Sequence, residues 1–213
     1  MKIYGRTTSF NVQKVLWFLE ELGVTYEHIE LGGRFGGLES DTFVSLNPMK
    51  KVPVLIDGDK VIWESHTVLR YLAATYGTDD WYSDDAYQRS LYERWMDWSH
   101  VLFQPAFMAM FWGYYRMPAN KRNMPEVNDA LQKCLTCLAT LDAVLAYSTY
   151  VAGETMTLGD ICAGSIIYRL ISQGLDVPLP QHVAHWYERL KMHPGYQKWI
   201  MSDFTELKGR EDF

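Results

Sequence analysis

The order in which hydrophobic periodicities follow one another constrains this chain most. Residues 2–5 (KIYG) are short and strand-like. After the polar turn Arg6-Thr7-Thr8-Ser9, Val12, Val15, Leu16, Leu19 and Leu22 recur at the 3.6-residue spacing of an amphipathic helix. Gly23 is placed to end that helix, and residues 25–31 (TYEHIEL) read as a second strand. Strand–helix–strand implies a parallel pair joined by a right-handed crossover. The glycine-rich stretch 32–37 (GGRFGG) lacks the spacing of a phosphate-binding fingerprint and reads either as a loop beside a site or as a connector. A short helix is expected near 39–46. Two apolar runs then flank Asp57-Gly58, a hairpin signal, with Pro53 at the entry of the first, where its missing N–H is tolerated. Residues 65–76 carry a third helix, with Val68, Leu69 and Leu72 on one face and Ser65 placed as its N-cap.

Beyond the acidic, turn-rich stretch 78–86 (TDDWYSDDA) only helical patterns remain. Residues 87–117 read as one long aromatic-rich helix, and 126–147 as another, with Leu131, Leu135, Leu138, Leu141 and Leu145 in register. In Thr157-Leu158-Gly159-Asp160-Ile161, Thr157 and Asp160 have the spacing of a capping box, with Met156 and Ile161 where a hydrophobic staple would sit. The helix that follows is apolar nearly all round, so it belongs at the centre of a helical domain. Terminal helices are expected over 182–192 and 194–202. The architecture expected is two-domain: an α/β domain over 1–77, a linker over 78–86 and an all-helical domain over 87–213. The order β-α-β-α-β-β-α of the first is that of a thioredoxin-like domain.

Of the 213 residues, 48% are apolar and 22% charged, which excludes a disordered chain. The net charge of −6 disfavours a nucleic-acid partner, which would call for clustered Lys and Arg. No apolar run is long enough to cross a membrane, and the first ten residues lack the apolar core of a signal peptide. Three cysteines, Cys134, Cys137 and Cys162, suit a reducing cytoplasm better than a disulfide scaffold. The Cys134-x-x-Cys137 spacing lies in mid-helix, where both sulfurs can pack inward. His182-x-x-His185 is too sparse for zinc, so no metal is expected.

Three places could carry chemistry. Glu64-Ser65 sets a carboxylate beside a hydroxyl at a helix N-terminus, a match for a ligand bearing an α-ammonium and an α-carboxylate, or else a capped helix next to a solvated glutamate. A cis bond at Val52-Pro53 would present the Val52 backbone sideways to an extended peptide, with Lys51 beside it for a second carboxylate; the alternative is a strand entry and a solvated lysine. The turn Thr7-Thr8-Ser9-Phe10-Asn11 sets hydroxyls and an amide at the positive end of a helix dipole, which favours a thiolate over a thiol. A shift of about 2 pKa units needs about 3 kcal/mol. One charge-assisted hydrogen bond supplies about 1.5–3 kcal/mol. There the alternative is a polar N-cap.

The segments SFNVQKVLWFLEELG (9–23), NPMKKVPVLIDGDKVIWESHTVLRYLA (47–73) and TLGDI (157–161) resemble those of cytosolic glutathione transferases, in order, spacing and domain size. The first turn and the GGRFGG loop are similar to a bacterial theta-like or nu-like branch that uses serine or threonine. The resemblance implies glutathione as co-substrate, with Glu64 and Ser65 on its γ-glutamyl end, Val52 before a cis-Pro53 on the cysteinyl unit, and Lys51 on the glycine carboxylate. It implies Ser9 first, Asn11 second and Thr8 third as the group on the thiolate. Leu38 stands where some relatives carry His or Gln, so no second contact to the glycine end is implied there. Phe107, Phe111, Trp112 and Tyr115 would line an apolar electrophile pocket, with Arg116 as a cation for an anionic electrophile. The implied activity is conjugation of glutathione to small electrophiles or their dehalogenation. Glutathione-dependent disulfide or peroxide reduction, or a non-catalytic interaction protein on the same fold, are the alternatives. A homodimer is implied as well.

Overall fold

A computed structural model describes residues 1–211; residues 212–213 of the expected helical domain 87–213 lie outside the described residues. Four strands form one sheet in the order β2-β1-β3-β4. β1 (Lys2–Tyr4) pairs in parallel with β2 (Glu27–Ile29), in the register Ile3 to His28, through the crossover helix α1 (Phe10–Glu21). On its other side β1 pairs antiparallel with β3 (Val54–Asp57), which turns back into β4 (Lys60–Trp63). Helices α2 (Asp41–Leu46) and α3 (Ser65–Tyr76) complete a thioredoxin-like unit. Helices α4 (Ala86–Trp98), α5 (Gln104–Met110), α6 (Met124–Leu145), α7 (Leu158–Ser172) and α8 (Gln181–Leu190) form the all-helical second unit.

α1 ends as its sequence dictates. Gly23 takes φ +63, its N–H reaches the Glu20 carbonyl at 3.1 Å, and the Val24 N–H reaches Leu19 at 3.2 Å. Those two bonds satisfy carbonyls that a residue with a Cβ at position 23 could satisfy only under strain. The hairpin differs from expectation by one residue. Asp57 pairs with Lys60, so the two-residue turn is Gly58-Asp59, with Gly58 at φ +62. Asp57 stays in the strand because its carboxylate accepts from the Tyr71 hydroxyl at 2.7 Å and the Tyr76 hydroxyl at 2.5 Å. Ser65 is likewise not the N-cap of α3. That position is Glu64, held at φ +68, and Ser65 is the first helical residue. The second strand is also shorter than the stretch 25–31, because only Glu27–Ile29 finds partners on β1.

The expected long helix over 87–117 exists as one helical run, but it widens twice into π turns, at Ser99–Phe103 and Phe111–Arg116. Pro105 opens α5. Its missing N–H and its ring bar the regular ladder there, and a π turn just before it absorbs the mismatch. α7 is buried along nearly its whole length. A Cβ on its Gly164 would stand 2.5 Å from Leu190 Cδ1 and 3.5 Å from Trp17, so glycine sets how closely α8 and α1 approach it. The stretch expected as a helix over 194–202 is a π turn at Tyr196–Ile200, followed by a 3-10 turn at Thr205–Leu207.

α1 lies between the sheet and the second unit. Phe10 and every residue from Val12 to Leu19 are buried, polar Gln13 and Lys14 included. The Phe10 ring meets Phe107 at 5.7 Å and Trp17 meets Tyr196 edge-on at 4.9 Å. Among the described residues no helix is long and apolar enough to cross a membrane.

Candidate active site

Two cavities adjoin where the sheet unit faces the long helix. The more polar, of about 310 Å³, is walled by Asn47, Lys51, Val52, Pro53, Glu64, Ser65 and His100. The smaller, of about 120 Å³, is walled by Arg6, Thr8, Ser9, Phe10, Met108, Phe111, Trp112, Arg116, Arg169 and Leu207. Asn11 and Gln104 belong to both and stand at the junction. A larger groove of about 870 Å³, between Val101–Ala109 and α6, is lined by none of the candidate residues named from sequence.

The walls of the first cavity follow from local chemistry. Asn47 is buried; its amide donates to the Lys51 carbonyl at 2.8 Å and its oxygen accepts from the Met49 N–H at 3.0 Å. That Asx turn pins the loop carrying Lys51 and the cis Val52-Pro53 bond. β1 closes on the same loop. Gly5, at φ +145, leaves no room for a Cβ, which would meet Val12 Cγ2 at 2.4 Å and Val52 Cβ at 2.9 Å. Lys51 and Glu64 are exposed at the rim, whereas Ser65 is buried at the base. Glu64 holds φ +68, a region ordinarily left to glycine, and such strain concentrates at functional sites.

The corner at the start of α1 holds the three candidates for a thiolate, and they are not equivalent. Thr8 is engaged elsewhere: its hydroxyl donates to Glu206 at 2.6 Å and its carbonyl accepts from Arg169 at 3.0 Å. Ser9 is the N-cap of α1, yet its hydroxyl makes no capping bond among the described residues. Asn11 accepts at Oδ1 from Lys14 at 3.2 Å and from Ser65 Oγ at 3.4 Å, which links the two cavities.

Charges of both signs meet at this corner: Glu206 accepts from Thr8, Glu30 accepts from the Thr7 N–H, and both carboxylates act on Arg6. Arg6, Arg116 and Arg169 all reach the smaller cavity. Burial pushes Arg169 down to about 10, with Arg6 and Arg116 adding to the effect. Arg116 is buried, lies 4.0 Å over the Trp112 ring and donates from Nε to the Arg210 carbonyl at 2.8 Å. Of the expected electrophile pocket, Phe111, Trp112 and Arg116 line the cavity. Phe107 and Tyr115 do not. They are buried in an aromatic stack, Phe107 to Phe111 at 5.5 Å and Phe111 to Tyr115 at 5.1 Å, because the π turn rotates Tyr115 under Phe204.

Sequence reasoning missed several residues here. Arg6, Lys14, Gln104, Arg169 and Glu206 come from five separate places in the chain, and no local pattern joins them. Asn47 did carry a signal, since Asn-Pro favours a turn. Burial disfavours the thiolate at all three cysteines: desolvation pushes Cys134 and Cys162 up to about 12 and also raises Cys137. No cluster of three or more metal-ligating side chains occurs among the described residues.

Known proteins match this chain over nearly its whole length. Residues 1–74 match the glutathione S-transferase N-terminal domain and residues 103–194 the glutathione S-transferase C-terminal domain. The chain is 35% identical over 201 residues to glutathione S-transferase GstB of Escherichia coli (strain K12), covering 93% of this chain and 97% of that one. It is 29% identical over 203 residues to glutathione S-transferase 4 of Zea mays, covering 93% and 91%. Among solved structures, the theta class glutathione S-transferase of Xanthomonas axonopodis pv. citri with glutathione bound superposes with a TM-score of 0.90 at 40% identity, covering 95% and 97%.

Proposed function

The chain belongs to the glutathione S-transferase family, and from that premise we propose that it holds glutathione as the thiolate and adds it to an electrophilic carbon, or displaces a halide from one. Ser9 is the first choice for the group on the sulfur. The observation that carries this is the contrast within one turn: the Thr8 hydroxyl is committed to Glu206, whereas the Ser9 hydroxyl caps nothing and lines the cavity. Asn11 is the second donor, at the junction of the cavities.

The residues around the more polar of the two adjoining cavities support one orientation for glutathione. Its γ-glutamyl ammonium and carboxylate would meet Glu64 and Ser65 at the N-terminus of α3, its cysteinyl backbone would pair with Val52 before cis-Pro53, and its glycine carboxylate would face Lys51. The sulfur then lies toward Asn11 and Ser9, at the mouth of the smaller cavity. Helix dipole and hydroxyl favour the charged sulfur, and the thiol proton leaves to solvent. The sulfur lone pair forms the carbon–sulfur bond; in a displacement the halide departs with the bonding pair. Positioning and nucleophile activation carry the rate, with no covalent bond to the protein.

The electrophile would occupy the Phe111–Trp112 wall, and Arg6, Arg116 and Arg169 favour one that carries an anionic group. The enzyme is expected to work as a cytoplasmic homodimer. Exposed Val101 and Leu102, on the apolar groove along α6, support burial of that face by a second copy.

The test is the pH midpoint of the thiolate absorbance of bound glutathione. Ser9→Ala is expected to raise it by about 2 units and to lower kcat with an aryl halide, while the KM for glutathione changes little. An unchanged midpoint would remove Ser9 from this role.

A further inference from the structure

Lys14 is a fully buried lysine, among the largest fully buried side chains of the fold. It lies on α1 three residues after Asn11 and so on the same face. Its ammonium has three neighbours: Asn11 Oδ1 at 3.2 Å, Gln104 Oε1 at 3.2 Å and His66 Nε2 at 3.1 Å. The Phe10 ring covers it at 4.7 Å. No carboxylate forms a salt bridge with it among the described residues. Its titratable surroundings are Glu64, His66 and Arg70 at and on α3, His100 before α5, and Cys162 on α7. A buried ion costs several kcal/mol, and an apolar side chain would fill the space at lower cost.

We propose, resting on the thiolate reading above, that Lys14 is a positioning residue: its ammonium locks the Asn11 amide with Nδ2 turned to the glutathione sulfur and sets a positive charge behind that donor. The logic is one of donors and acceptors. An ammonium carries three N–H donors and no acceptor, so it tolerates only the carbonyl side of the Asn11 amide. That contact holds Oδ1 toward Lys14 and leaves the NH₂ group of Asn11, a residue that lines both cavities, for the ligand. The Ser65 hydroxyl, 3.4 Å from the same oxygen, turns from it to the glutathione carboxylate. His66 serves the same end by accepting. Burial, with Lys14 as the next cause, pushes His66 down to about 2, so it is the neutral partner that the ammonium requires. Burial also pushes Lys14 down to about 8, with Cys162 and Glu64 pulling the other way, so the cation persists at neutral pH.

The experiment compares wild type, Lys14→Met, Asn11→Ala and the double variant, each with saturating glutathione, by the pH midpoint of the thiolate absorbance and by kcat and KM. Lys14→Met is expected to raise the midpoint by about one unit and to lower kcat about tenfold at neutral pH, with KM for glutathione within about twofold. The double variant is expected to lose little more than the worse single one, since both act on one contact. A wild-type midpoint in a folded Lys14→Met overturns the inference. So does a midpoint unchanged in Lys14→Met beside a raised one in Ser9→Ala, which leaves the glutathione reading standing. A wild type with no thiolate band at all overturns that reading instead. Should Lys14→Met not fold, the side-chain carbon resonance of Lys14 in the wild type gives the answer. Its titration is expected to move to higher pH on binding glutathione and to stay put on binding S-methylglutathione, because coupling between the two charges is reciprocal. Equal titration with both ligands overturns the inference.

Discussion

The N-termini of α1 and α7 face the same physical problem and solve it in opposite ways. Every helix begins with backbone N–H groups that lack partners. At α7 the answer is internal. Asp160 accepts from the Thr157 N–H at 2.9 Å and the Thr157 hydroxyl at 3.0 Å, then from the Val151 N–H at 3.0 Å and Trp186 Nε1 at 2.9 Å. All of this is buried, and the helix end is closed. At α1 the N-cap Ser9 makes no side-chain capping bond among the described residues and lines a cavity. α3 repeats the open form, with Glu64 at its head and no side-chain cap. A closed terminus spends its polar groups on stability, whereas an open one keeps them for a ligand.

The sharpest way to break this contrast is Asp160→Ala. It strands three buried N–H donors at about 1–3 kcal/mol each, so a loss of about 3 kcal/mol or more is expected in denaturant unfolding. A loss below about 1 kcal/mol would mean that the closed terminus is not a stabilising device. Ser9→Ala is the counterpart at the open end. Stability should move by less than about 0.5 kcal/mol while turnover falls about a hundredfold. A variant that unfolds early but turns over normally would reverse the roles of the two helix ends.

Acid probes the floor of the open site. The native state holds His66 down to about 2, whereas the unfolded chain protonates it near 6.5. The unfolded state therefore binds the extra proton, so stability is intact above pH 6.5. It drains as pH falls toward 2, by up to about 1.4 kcal/mol per unit. His66→Gln should flatten that slope. His193, raised by the bond it donates to Glu21, acts with the opposite sign: its stabilisation is lost as pH climbs past its folded value. Thr8→Ala has the smallest expected effect. Loss of the bond to Glu206 costs about 1 kcal/mol, and turnover should fall far less than in Ser9→Ala. Equal losses in the two would erase the distinction between them.

Much of the site was legible because its parts are local. The Val52-Pro53 loop, Glu64-Ser65 and the Thr8–Asn11 turn each lie within a few residues, and the structure brings all three to adjoining cavities. The errors were local too, and small. The hairpin turn slipped by one residue because two tyrosines on α3 hold Asp57 in the strand, and Ser65 gave up the N-cap because Glu64 takes a left-handed backbone. The long helix over 87–117 was right in extent and silent about its π turns, which is why Tyr115 was expected in a pocket and lies in the core.

By itself the sequence determined the element order, the capping box that closes α7, and the residues offered to glutathione, since periodicity, turn chemistry and capping act between near neighbours. Only the tertiary structure decided that the second unit buries the polar face of α1, so that Lys14 becomes a cation beneath the site. It also decided that Glu206, 198 residues along the chain, claims Thr8 and leaves Ser9 open. Burial and competition for hydrogen bonds depend on which distant segment covers a surface, and no spacing within a helix records that.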